Sequence, residues 1–155
     1  MAASPVKTSD GRSERWRAHK EARRQEFVDA ALTAVRRKGA AVRLDDVCSV
    51  ANVSKTVIYR HFRDKDDLFA AVLEQIAGEI FLPRIVSQLD PGLDDYAMLR
   101  AAIGSYVALV SEEPQLYRFV FAYSGVGERG DFVGSMESAI AQALGPSQTN
   151  TIWAL

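Results

Sequence analysis

Apolar residues recur along this chain at helical spacing, and nowhere do they alternate as a half-buried strand would. Phe27, Ala30, Ala31, Ala34 and Val35 fall at i, i+3, i+4, i+7 and i+8 and predict a helix over Glu21–Lys38. Arg36, Arg37 and Lys38 suit its C-terminal end, and Gly39 offers the left-handed stop. Two short helices are expected next, Leu44–Ala51 and Ser54–Phe62, separated by Asn52 and Val53. A longer one follows over Lys65–Phe81, with Leu68, Phe69, Val72, Leu73, Ile76 and Ile80 inside. Asp64 is placed as its N-cap, with Asp67 at capping-box spacing, and Pro83 is expected to end it by forcing Leu82 out of helical geometry.

Beyond a short helix around Arg84–Leu89 and a turn at Pro91-Gly92, Asp94–Ser111 reads as a helix. It has Tyr96, Leu99, Ile103, Tyr106, Val107 and Val110 on one face. Pro114 opens another to about Tyr123, a Gly-rich loop spans 125–130, and Asp131–Leu144 is the last clear helix. The end, GPSQTNTIWAL, has no periodicity. The fold class is all-α, and 155 residues suffice for one ordinary domain or two small helical ones sharing a core.

Charge changes this picture more than composition does. Residues 1–65 hold 15 Lys+Arg and 8 Asp+Glu, a net of +7, whereas residues 66–155 hold 4 and 12, a net of -8. Only the first part is suited to a polyanion. Residues 1–20 read as a disordered arm, basic from Arg12 onward; the alternative is an arm that enters a minor groove with Trp16. The single cysteine, Cys48, excludes an internal disulfide and any CxxC site, and reads as a small buried residue. No apolar h-region or membrane-length run is present, so a cytoplasmic protein without membrane contact is expected.

The strongest constellation is LDDVCSVANVSKTVIYRHF, residues 44–62. A helix-turn-helix needs a small residue where its helices cross, and Cys48 is small. Its turn needs a left-handed residue, for which Asn52 is second only to glycine. Val47, Ala51, Val53 and Ile58 occupy the locking positions, and Ser54 is placed to cap the second helix. Lys55, Thr56, Tyr59, Arg60 and His61 then lie on the outer face, free to meet double-stranded DNA.

The stretch from Arg24 to Leu73, and VSKTVIYRHFRDKDDLF above all, resembles the DNA-binding domain of the TetR (tetracycline-repressor-like) transcriptional regulators. The resemblance implies a ligand-responsive repressor. Residues 21–66 would be a three-helix reading head with the start of a connecting helix, and residues 67–155 a helical ligand-binding and dimerisation domain. Lys55, Thr56 and Val57 would face bases or nearby phosphates, and Tyr59 and His61 would touch backbone and groove edges. Lys65, with the N–H groups opening its helix, would hold a phosphate. Arg43 stands where the family commonly has a capping Ser or Thr, so a cap is exchanged for a positive charge. Candidate lining for the pocket of a small-molecule effector is Tyr106, Val107, Val110, Phe119, Val120 and Tyr123, with packing in the ordinary core as the alternative role.

Family members pair through two long C-terminal helices. Asp131–Leu144, with Phe132, Met136, Ala139, Ile140 and Ala143 on one side, resembles the first, and nothing after it resembles the second. The expectation is a regulatory domain truncated relative to the family, with the usual homodimer in question and a weakly binding remnant or interaction protein as the alternative. A remoter alternative is nucleotide binding, because Gly125–Gly130 spells GxGxxG before a helix. The second parallel strand and the distal carboxylate that this fingerprint needs are missing. No catalytic set, metal-ligand spacing or cofactor motif is visible, and no enzymatic activity is expected.

Overall fold

The computed structural model describes residues 10–87 and 92–124, which among them form helices and turns and no strand. The expected helix Asp131–Leu144, the Gly-rich loop, Pro91, the first residues of the arm and the terminal segment lie outside the described residues.

Helix α1 (Asp10–Lys38) is the axis of the molecule. Its expected stripe, Phe27, Ala30, Ala31, Ala34 and Val35, is buried, and so are Val28 and Leu32. The second set widens the apolar arc because α1 packs on two sides at once, against α2 and α4 and against α7. The helix begins well before Glu21. Residues 10–20, expected within a disordered arm, continue it, with every described side chain from Ser13 to Ala22 exposed. No apolar stripe marks this extension, so periodicity could not report it.

Gly39 stops α1 with φ +56°, and a short 3-10 turn, Gly39–Ala41, leads to helix α2 (Leu44–Ala51). Asn52, at φ 52° and ψ 47°, is the left-handed turn residue. The Val53 N–H donates to the Cys48 carbonyl at 3.1 Å, which closes the end of α2. Helix α3 (Lys55–Ile58) is shorter than expected. Beyond it the chain tightens into turns, with His61 N–H donating to the Ile58 carbonyl at 2.9 Å and Arg60 N–H to the Val57 carbonyl at 3.3 Å.

Helix α4 (Lys65–Gln75) starts on the Asp64 cap, whose carboxylate accepts from the Asp67 N–H at 2.8 Å. The Asp67 carboxylate reaches one residue past the usual capping-box partner, to the Arg63 N–H at 3.0 Å. Pro83 does not end this helix. The winding widens to a π-helical stretch, Ile76–Phe81, and passes through a helical Leu82 (φ −60°, ψ −48°) into α5 (Leu82–Val86). Wider winding relieves the clash between a proline ring and the carbonyl four residues back, and removes the need for the N–H that Pro83 lacks.

Helix α6 (Asp95–Glu112) is capped by Asp94, which accepts from the Ala97 N–H at 2.8 Å. It turns a different face inward from the one with the largest side chains. Met98 and Leu109 are buried, while Tyr96 is 75% and Ile103 55% exposed, with Leu99, Tyr106 and Val107 also exposed. Ala101, Gly104 and Ser105 face α5 across an open cleft, and Arg84 of α5 pairs with Glu112 at 2.5 Å. Helix α7 (Pro114–Ser124) buries Leu116, Phe119 and Val120 against α1, α4 and the 3-10 turn.

Gly39 sits where α7 crosses that turn. A Cβ there would strike the Gln115 side chain and approach the Gln115 carbonyl oxygen to 3.2 Å. Gly39→Ala is therefore expected to cost about 1–3 kcal/mol, read as a lowered denaturation midpoint. Adding Gln115→Ala should leave most of that loss, because the positive φ persists; full rescue would show that crowding alone was responsible.

Candidate nucleic-acid interface

The helix-turn-helix core is locked as its sequence demands, with Val47, Ile58 and Phe62 buried and Cys48, Ala51 and Val53 half-buried against them. Burial and the neighbouring Asp45 carboxylate push the Cys48 thiol up, which keeps it protonated.

Over this core the structure brings Arg43, Ser54, Lys55, Thr56, Tyr59 and Arg60 together as exposed residues. Tyr59 is 47% exposed. Arg43 takes the N-cap position of α2 with extended backbone. A guanidinium has no acceptor, so only the return half of a capping box forms, the Arg43 N–H donating to Asp46 at 2.9 Å. Ser54 takes the N-cap position of α3 but makes no capping hydrogen bond.

Three expected contacts are placed differently from the rest. Val57 is half-buried and packs onto the core rather than standing on the outer face. Lys65 is exposed, with its ammonium folded back over the rings of Phe69 at 5.6 Å and Tyr123 at 5.8 Å. His61 turns toward α1, edge-on to Phe27 at 5.3 Å between centroids, with Nδ1 buried and without a hydrogen bond.

The local field is strongly patterned. Lys55 pairs with Asp45 at 2.7 Å and Lys38 with Asp46 at 2.6 Å. The Lys38 hydrogen bond and then the Arg43 N–H hold the Asp46 carboxyl below its usual range, and the Asp45 carboxylate raises Lys55. Arg43 and Arg60 make no ion pair among the described residues.

Arg24 is the residue that helical patterning missed. From α1 its guanidinium donates to the His61 carbonyl at 2.7 Å, approaches Asp67 at 3.5 Å and lies over the Phe62 ring at 4.0 Å. It ties the end of the reading turn to α1 and to the first turn of α4. The Arg63 N–H and then the Arg24 and Arg63 guanidinium groups hold the Asp67 carboxyl below its ordinary range.

The six residues expected to line an effector pocket are divided between the core and the surface. Phe119 and Val120 are in the core, Tyr106 and Val107 face outward, and Val110 and Tyr123 are half-buried. Tyr123 packs edge-on to Phe69 at 5.2 Å and tilted on Phe119 at 4.7 Å. Tyr106 meets Tyr117, hydroxyl to hydroxyl, at 3.1 Å. An open cleft of about 520 Å³ lies between α5 and α6, lined by Arg84, Ser87, Gly104, Ser105 and Glu112 among others. No helix among the described residues is long and apolar enough to cross a membrane.

Residues 27–72 match the model of the family described as bacterial regulatory proteins, tetR family. Two uncharacterized HTH-type transcriptional regulators of Mycobacterium tuberculosis, from strains CDC 1551 and H37Rv, are each 38% identical over 144 residues, 93% of this chain. The chain spans 61% of the length of each. The HTH-type transcriptional activator FasR of Mycolicibacterium smegmatis is 31% identical over 70% of this chain and 49% of its own length. A crystal structure of a TetR family transcription regulator from Marinobacter aquaeolei VT8 superposes with a TM-score of 0.61 at 19% identity, over 83% of this chain and 68% of that one. That last likeness concerns the fold.

Two outcomes test this geometry. Arg24→Ala should destabilise the protein by about 1.5–3 kcal/mol, the range for a charged hydrogen bond, and Arg24→Lys should recover little, because an ammonium cannot fork and stack at once. Equal stability of the lysine variant and the parent in urea melts would remove the clamp. His61 has its pKa lowered from 6.5, first by burial and then by Lys20, Arg23, Arg24 and Arg60. Below about pH 6.5 the unfolded chain binds this proton more readily than the folded one. Stability should therefore hold above that pH and fall as pH drops below it, and His61→Gln should flatten the fall in thermal melts taken between pH 7.5 and 5.5.

Proposed function

From residues 27–72, which place the chain in the TetR family of bacterial regulatory proteins, we propose that it works in the cytoplasm as a ligand-responsive transcriptional repressor. The observation that carries this reading is the exposed surface over the helix-turn-helix, where Arg43, Lys55, Thr56, Tyr59 and Arg60 stand together on a buried lock. Thr56 and the outer edge of Tyr59 are free for base edges and sugar, and Arg43 and Arg60 for phosphates. Arg43 also restores, as charge, the phosphate contact that a capping hydroxyl would supply.

Lys55 has two stations. In this structure it holds Asp45; at a duplex its ammonium would exchange that exposed carboxylate for a phosphate or a base edge. Lys65 has two as well, the aromatic pair Phe69–Tyr123 or a phosphate at the opening turn of α4. That second exchange links the reading surface to α7. An effector that repositions α4 against α7 changes where Lys65 and the reading turn stand. Two such heads must lie roughly 34–36 Å apart to read successive major grooves, so a homodimer is part of the proposal and a small displacement releases DNA. The effector itself remains a small molecule of unassigned class. Because FasR is named an activator, the sign of regulation is a separate measurement from DNA binding.

A gel shift on the DNA immediately upstream of its own coding region, with light scattering on the same sample, tests the core of this reading. A specific shift by a dimer is expected; a monomer with no sequence preference overturns it. Asp45→Asn should free Lys55 and tighten binding to all duplexes, whereas Lys55→Ala should weaken it. Lys65→Ala should lower the slope of log K against log salt by about one, the signature of one lost phosphate contact. An unchanged slope would leave Lys65 without that role.

A further inference from the structure

The basic extension of α1 is the largest feature that the helix-turn-helix does not use. From Asp10 to Glu26 the helix runs before its first buried residue, Phe27, about 25 Å at 1.5 Å per residue. Its charges are sorted by face. Trp16, His19, Lys20 and Arg23 fall at i, i+3, i+4 and i+7 and share one side, while Glu14 and Glu21, seven apart, lie on the opposite side. Sorting of this kind is not needed for solubility, which interspersed charges would serve as well.

The sorted face does not stand alone. It forms a groove with Arg60 and His61 from the end of the reading turn. Lys20, Arg23 and Arg60 give the groove a positive field, and Glu26, paired with Arg23, is its one carboxylate. All the neighbouring cations that act on His61 at its floor act in the same sense. Trp16 is 66% exposed at the outer end, with the Lys20 ammonium 5.7 Å from its ring centre. A flat indole beside cations suits a surface that alternates phosphate with sugar and base edge.

We propose that this face of α1, through Trp16, Lys20 and Arg23 with Arg60, is a second DNA-backbone contact, which holds the same duplex on the flank of the half-site read by α3. Arg60 belongs to both surfaces, so the two are continuous, and the extension covers most of one turn of B-DNA, about 34 Å. The flanking contact adds affinity and register without reading sequence. It rests on the DNA-binding reading above.

The test uses the full chain carrying Trp153→Phe, which leaves Trp16 as the only one of its two tryptophans. A fluorescein-labelled duplex from the DNA upstream of the coding region, extending a full turn beyond the shifted segment, is the probe. Anisotropy reports binding, and tryptophan emission reports the α1 face in the same cuvette. Binding should quench or shift Trp16 emission, and Lys20→Gln with Arg23→Gln should reduce the salt slope by about two, at roughly 0.9 per contact. Normal anisotropy with either Trp16 emission or the salt slope unchanged overturns this proposal and leaves the helix-turn-helix reading intact. No anisotropy change with any duplex overturns both.

Discussion

Arg24 satisfies three partners from one side chain that is 29% exposed: a carbonyl on the reading turn, a carboxylate on α4 and an aromatic ring between them. A planar guanidinium fork can donate along its edges and stack on its face together. The reading turn is short on its own support, because α3 has four α-helical residues and then tightens. Its last carbonyl is held by a residue 37 positions earlier in the chain. Where the outer face points is thus decided from α1, and α1 is itself fixed by being buried on two sides.

The same helix joins the two halves of the chain by packing. α7 packs on the far end of α1 and on the turn at Gly39, and its Tyr123 reaches the rings and ammonium at the opening of α4. The acidic half is therefore not hung on the basic half by a linker. Arg36 of α1 meets Glu113 at 3.4 Å, and the Phe69–Phe119 edge contact at 5.4 Å joins α4 to α7 in the core.

Local chemistry was the legible part. Gly39, Asn52 and Asp64 each do what their residue type does at a helix end, and the Phe27–Val35 stripe is buried as spaced. What escaped prediction depends on distant partners or on backbone energy that periodicity does not carry. Arg24 looks like any basic residue until Phe62 and Asp67 are brought to it. The helix before Phe27 has no apolar register to announce it. Lys65–Phe81 has near-ideal helical spacing, so widening at Ile76 leaves no trace in the pattern. On α6 the apolar face was found and its direction was not, since spacing says which residues point together and not what covers them. For the candidate reading surface, Val57 shares the core side of α3 with Ile58, and the inward turn of His61 lies in the tightened turn after α3.

The widened winding between Ile76 and Phe81 bears on how motion passes along the molecule. An unbroken α-helix keeps one pitch along its length, so a twist applied at one end is passed on with little change of winding. Here two rods, Lys65–Gln75 and Leu82–Val86, are joined by a segment with a different pitch. Such a joint is a torsional spring. A rotation imposed near Pro83 can then be taken up in part as rewinding of Ile76–Phe81 before it reaches Asp64.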